Sequence, residues 1–166
     1  MMSMLVRTAL ICTLLLSMIL TACAIQPEEA EDHTQKVPVE NAFTDDHHDH
    51  PMALLTALPS AVQAADERTQ QAYRFAVANP EAAEEVPCYC GCIGLDHDTS
   101  LDCYIAGVDT EGDIEFDLHA NACTVCVDIT QDQMRMIDDG LSPEMIREAI
   151  ATAYSKYGPP TPMLGE

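Results

Sequence analysis

Six cysteines lie within 39 residues, from Cys88 to Cys126, and this density constrains the chain more than any other feature. A fold that gathers six thiols so closely must cross-link them, ligate an ion with them, or use them in redox exchange. Its core can only be small. Aromatic residues make up 5% of the chain and tryptophan is absent, so covalent or metal cross-links are expected to supplement hydrophobic burial.

The spacing narrows the choice. In Cys88-x-Cys90-x-Cys92, residues i and i+2 of an extended strand point to the same side, with Cα atoms roughly 6.5–7 Å apart. That is the limit of disulfide geometry, and so small a ring is strained. Gly91 permits a tight turn in which the three thiols converge on one ion instead. Thiolate sulfur is soft and selects Cu(I), Zn²⁺ or iron–sulfur clusters. Cys123-x-x-Cys126 is a chelate spacing of zinc sites and also of redox dithiols. His97 follows Cys92 by five residues and His119 precedes Cys123 by four. Each is placed to supply an imidazole nitrogen or to stand behind a ligand. The expected metal set is Cys88, Cys90, Cys92, His97, Cys103, His119, Cys123 and Cys126, with Cu(I) or Zn²⁺ as the ion. Two other readings stay open: a domain stapled by disulfides without metal, and a redox pair at Cys123 and Cys126.

Catalytic residues are not assigned. The chain has no glycine-rich phosphate loop, no serine–histidine–acid order and no paired-carboxylate cleft. Val127 follows Cys126, so the covalent c-type haem pattern is absent. Asp109, Glu111, Asp113, Glu115 and Asp117 alternate through a turn. They lack the terminal glutamate spacing of a calcium loop and read as a solvated acidic hairpin.

Whether thiols stay reduced depends on the compartment, and the first residues address that. Arg7 is the only charge before Glu28, and it precedes a weakly polar-to-apolar run from Thr8 to Leu20. The run has the length of a signal-peptide core and is short of the ~20 residues needed to span a bilayer. It ends in Leu20-Thr21-Ala22-Cys23, the pattern of a lipobox. Residues 1–22 are expected to be a lipoprotein signal peptide, which removes Cys12. Cys23 becomes the N-terminus carrying diacylglyceryl and acyl lipid, enough for stable attachment to the membrane. The expected location is the outer, extracytoplasmic face of the cell membrane. All 28 acidic residues follow Cys23, and the formal net charge is −21. Such a chain repels nucleic acid, which is excluded as a partner. Cations are its natural partners, and no protein partner is indicated.

Residues 23–58 read as an acidic, disordered tether. It contains Asp45-Asp46-His47-His48-Asp49-His50, which is either a weak ion trap or a solvated pH-sensitive spacer. A cysteine- and histidine-rich domain is expected over residues 59–158, with a tail over 159–166. The fold class is α+β, small and helix-rich. Its expected elements are an N-terminal helix, a cysteine-rich loop with a β-hairpin, and a C-terminal helix pair. Ser60 is placed to cap a helix carrying Val62, Ala65, Ala72, Phe75 and Ala76 and ending at Asn79-Pro80, followed by an acidic loop. Cys103–Val108 and Ile114–Asp117 alternate as strands around a glycine-containing turn. Thr130 and Gln133 form a capping-box pattern for a helix ending near Gly140. Ser142-Pro143 opens the last helix, with Met145, Ile146, Ala149, Ile150, Ala153 and Tyr154 assigned to its buried side.

Pro87-Cys88-Tyr89-Cys90-Gly91-Cys92 resembles the string for which the PCYCGC-motif lipoproteins are named. The resemblance extends to Tyr73-Arg74-Phe75-Ala76, Asn79-Pro80, His97, Cys103 and Phe116-Asp117-x-His119-x-x-x-Cys123-x-x-Cys126, covering roughly residues 58–158. It implies an exported, metal-associated lipoprotein without an assigned activity. A second likeness bears on the redox reading. Cys123-x-x-Cys126 with Asp139-Gly140-Leu141-Ser142-x-Glu144-x-Ile146 and Tyr157-Gly158 resembles the small helical thiol reductases of cytochrome c maturation. Asn121-Ala122 stands where those proteins carry Leu-Arg.

Overall fold

The computed structural model describes residues 37–38, 43–44 and 50–163. The signal segment, Cys23 and the Asp45–Asp49 part of the His/Asp cluster lie outside the described residues, as does the side chain of Cys92. In chain order the elements are β1 (Val37–Pro38), β2 (Phe43–Thr44), β3 (Met52–Ala53), α1 (Ser60–Gln63), α2 (Glu67–Ala78), α3 (Pro80–Glu84), β4 (Ile105–Val108), β5 (Asp113–Phe116), α4 (Thr124–Asp138) and α5 (Pro143–Tyr154). This is the small, helix-rich α+β fold that the sequence predicts. Strands β1, β5 and β4 pair antiparallel in that order, and β2 pairs with β3. Among the described residues no helix is long and apolar enough to cross a membrane.

The first helical region differs from expectation. Pro59, not Ser60, occupies the N-cap of α1, which closes a single turn. A second start follows because Asp66 is the better cap. Its carboxylate accepts the backbone N–H groups of Arg68 and Thr69 at 3.0 and 3.1 Å and the Thr69 hydroxyl at 2.8 Å. Those donors would otherwise have no intrahelical partner. Helix α2 then buries Thr69, Ala72, Tyr73, Ala76 and Val77 along one side. Phe75 packs in a second cluster with Met52 and Met134. The expected acidic loop is helical over α3, because Pro80 at its first turn has its φ already set for a helix and needs no donor there.

Packed structure begins before Pro59. His50, Met52, Ala53 and Leu58 are buried, although the sequence assigns them to the tether. Arg74 Nε donates to the Ala53 carbonyl at 2.6 Å, and Asn79 Nδ2 donates to that of Pro51 at 2.8 Å. His50, the last member of the His/Asp cluster, sits 2.8 Å from Asp138 through Nδ1 and edge-on to Phe75. It is part of the core packing.

The C-terminal pair forms as expected, with corrected details. Helix α4 starts at Thr124, six residues before Thr130, with Cys123 at its N-cap. Thr130 and Gln133 are buried inside it, because hydrophobic residues on the turns before Thr130 extend the helix through that pattern. Ser142 does cap α5, its hydroxyl accepting from the Met145 amide. Ile146, Ile150 and Tyr154, four residues apart, form the buried stripe, while Met145 and Ala153 turn outward to solvent. The hairpin also forms: Asp109 accepts the amides of Glu111 and Asp113 at 2.8 and 2.9 Å and pins the turn between β4 and β5.

Candidate metal centre

Three segments meet at the cysteines. The first is the 87–91 loop, held open by Gly91 at φ 82°, a left-handed conformation that strains side chains bearing a Cβ. Its Cys88 is clamped from the C-terminal segment. Thr161 donates its amide to the Cys88 carbonyl at 2.8 Å, and its hydroxyl accepts the Cys88 amide at 3.0 Å. Gly158 lies so close that a Cβ there would meet the Tyr89 carbonyl at 3.1 Å. The second segment is the short turn Leu101–Cys103 before β4, which points Cys103 into the core. The third is the start of α4, with Cys123 as its N-cap and Cys126 in its first turn.

The sulfurs converge. Cys126 Sγ lies 3.3 Å from Cys103 Sγ and 3.6 Å from both Cys88 and Cys90. Cys88 and Cys90 are 3.3 Å apart. A disulfide needs about 2.05 Å, so none of these contacts is one. Four sulfurs around a tetrahedral ion at about 2.3 Å stand about 3.8 Å apart, which these contacts approach. Cys90 Sγ is also 3.6 Å from His119 Nε2, the separation expected between sulfur and nitrogen on one such ion. The donor atoms fall into two groups, each within 4.8 Å throughout: Cys88, Cys90, Cys103 and Cys126, and Cys90, His119, Cys123 and Cys126. Either group is close enough to hold a metal ion.

His97 belongs to neither group. Its Nδ1 is 3.7 Å from Cys103 Sγ and its Nε2 is 3.5 Å from Asp117, so it stands behind the cluster. Its ring meets that of His119 edge-on at 5.3 Å.

The donor set invites comparison with known proteins. Residues 12–164 match the family model described as a protein of unknown function with PCYCGC motif. The chain belongs to this family. No curated protein and no solved structure matches it.

In this PCYCGC protein the thiols polarise one another. Cys88 is held well below the usual thiol range, first by its hydrogen bond with Cys103 and then by those with Cys126 and Cys90. Cys90 is lowered in the same way, again first by Cys103. Cys126 is pushed up, chiefly through its bond to Cys103, where it keeps the proton it donates. Cys103 is raised as well, although its bond from Cys126 acts against this, because Cys88, Cys90 and burial together outweigh it. Burial pulls the His119 imidazole down, but its hydrogen bond to Cys90 and that thiolate's charge raise it overall. Cys88 and Cys90 are thus the thiols of the cluster that favour the thiolate form in which sulfur binds metals.

Several supporting residues escaped the sequence reading. Asp117 accepts the His119 amide at 2.6 Å through Oδ1 and faces His97 through Oδ2. Its carbonyl accepts the Tyr73 hydroxyl at 2.8 Å. Tyr104 donates to the Cys126 carbonyl at 2.9 Å, with the Thr130 hydroxyl 2.7 Å away. Tyr73 and Tyr104 stack edge to face at 4.9 Å beneath the site. The sequence signals for these were the patterns Phe116-Asp117-x-His119 and Tyr73-Arg74-Phe75-Ala76. Tyr104 and Thr161 had none, because their partners are distant in sequence.

Proposed function

We propose that this PCYCGC protein is a membrane-anchored extracytoplasmic lipoprotein that binds a soft transition metal, Cu(I) or Zn²⁺, through its cysteine–histidine cluster. The observation that carries the reading is the approach of Cys88, Cys90, Cys103 and Cys126 to 3.3–3.6 Å. Packing four thiols together beneath a domain with so small a core buries polarisable, ionisable groups at a cost that an ion offsets. Soft sulfur donors select Cu(I) or Zn²⁺ over calcium or magnesium. The lipid anchor rests on Arg7, the apolar run and Leu20-Thr21-Ala22-Cys23. The acidic surface suits a protein that concentrates cations beside the membrane.

The redox reading has less support. The attacking sulfur of such a pair would be the half-buried Cys123, but its partner Cys126 lies 3.3–3.6 Å from Cys88, Cys90 and Cys103 and so is not reserved for a disulfide with Cys123.

The test is elemental analysis with free-thiol counting on the full chain, made in a bacterial membrane and purified anaerobically without chelator or histidine tag. Copper or zinc at one or more ions per chain, with thiols protected from alkylation until the metal is stripped, is the expected result. Protein without metal and without free thiols refutes the metal reading. In the same preparation, Cys23→Ser is expected to move the protein out of the membrane fraction.

A further inference from the structure

We infer that the centre is built for two ions that share Cys90 and Cys126 as bridging thiolates, and that the pair it accommodates is Cu(I). The inference rests on the metal-binding reading above and concerns the same site.

The two donor groups share one edge and differ in their other two donors. Cys88 and Cys103 complete the first group and His119 and Cys123 the second, while Cys90 and Cys126 belong to both. The shared sulfurs stand 3.6 Å apart. Each also contacts donors that belong to one group alone: Cys126 meets Cys103 at 3.3 Å, and Cys90 meets His119 Nε2 at 3.6 Å. Six donor atoms then supply two complete four-coordinate shells, because thiolate sulfur has lone pairs enough to bind two metals. A single ion would leave either Cys88 and Cys103 or Cys123 and His119 without a role at the centre.

The geometry also selects the charge of the ions. With metal–sulfur bonds of about 2.3 Å, each ion lies about 1.4 Å from the midpoint of the Cys90–Cys126 edge. The two ions are therefore no more than about 2.9 Å apart. At equal distance two divalent ions repel four times as strongly as two monovalent ones. Five thiolate-forming cysteines suit a soft monovalent ion, so Cu(I) satisfies both conditions.

The two positions differ in access. In the first group Cys88, Cys103 and Cys126 are all 0% exposed. In the second, its own donors His119 and Cys123 are half-buried, as is Cys90, which both groups share. An inner ion is enclosed, while the outer ion faces solvent past Cys123 and His119 and is the exchangeable one.

The experiment is an anaerobic titration of the reduced full chain with Cu(I) from a competing chelator, followed by copper X-ray absorption on the loaded protein. Two Cu(I) per chain with copper–copper scattering at a distance under about 3 Å is the expected result. Cys123→Ser removes a ligand of the outer ion alone and lies at a half-buried helix cap, so it should fold and bind one Cu(I) without copper–copper scattering. A strong chelator should strip the loaded wild type in two phases and Cys123→Ser in the slow phase only. One Cu(I) per chain in the wild type overturns this inference and leaves the metal reading standing. No bound copper or zinc overturns both. Two Cu(I) without short copper–copper scattering overturn the shared thiolates. Two Zn²⁺ taken up in preference to Cu(I) overturn the choice of ion.

Discussion

Thr161 offers a direct way to ask how firmly the fold holds Cys88. It is 2% exposed and lies 73 residues from Cys88, to which it is joined by two hydrogen bonds. Thr161→Val keeps the shape and leaves the bond from the Thr161 amide to the Cys88 carbonyl. It removes the hydroxyl that accepts the Cys88 amide at 3.0 Å. That amide is then buried without its partner, a loss of about 1–3 kcal/mol. For a domain of this size each kcal/mol lowers Tm by roughly 3–5 °C, so the variant should melt roughly 3–15 °C lower. Thr161→Ser is the control: it retains the hydroxyl and gives up one methyl, for about 0.8 kcal/mol. The assay is thermal unfolding by circular dichroism of the reduced, metal-free full chain, repeated after metal loading. Because Cys88 is a proposed ligand, the valine variant should also bind metal more weakly. If valine is as stable as wild type, or serine costs more than valine, the Thr161 hydroxyl does not anchor the loop and the argument fails.

Two further substitutions test the support around the site. Tyr104→Phe strips a hydroxyl that donates to the Cys126 carbonyl and lies beside Thr130, and should cost about 1–3 kcal/mol in urea unfolding. Adding Thr130→Val should cost less than the sum of the two single changes, since neither hydroxyl is then left without the other; strict additivity would refute the coupling. Asp66→Ala should cost about 1 kcal/mol at neutral pH through loss of the α2 cap. The Thr69 hydroxyl bond is the first cause holding the Asp66 carboxyl below its usual pKa. Its contribution is therefore complete above the unfolded-state carboxylate pKa and is lost as pH falls through the lowered folded value. Unfolding curves of the variant and wild type should converge in acid, and a constant gap across that range would contradict the assignment.

How legible the protein was differs from element to element. The hairpin, the Ser142-Pro143 helix start and the helix end at Gly140 were readable because each is decided within a few residues. Turn chemistry, capping and the φ demanded of glycine or proline are local. The break between α1 and α2 was missed because two candidate caps compete there, and Asp66 prevails by satisfying two backbone donors and the Thr69 hydroxyl at once. Thr130 misled for the opposite reason. Its capping pattern is real in sequence, but tertiary packing uses the hydroxyl against Tyr104. The burial of His50, Met52, Ala53, Ala57 and Leu58 was invisible because an acidic, histidine-rich approach masks a short apolar stretch with partners on α2 and α4.

The sequence by itself determined which groups are available: thiols spaced as local chelates at Cys88 and Cys90 and at Cys123 and Cys126, with imidazoles nearby. Such pairs are brought together by short stretches of backbone, so their chemistry can be read from spacing. Only the tertiary structure decided how the pairs combine. Cys126 meets Cys88, Cys90 and Cys103 across separations of 38, 36 and 23 residues, and His119 joins the cluster while His97 stands behind it. Those contacts depend on where α4 packs against the loop and the hairpin. Packing of that kind is settled by burial of the whole core, which spacing along the chain does not encode.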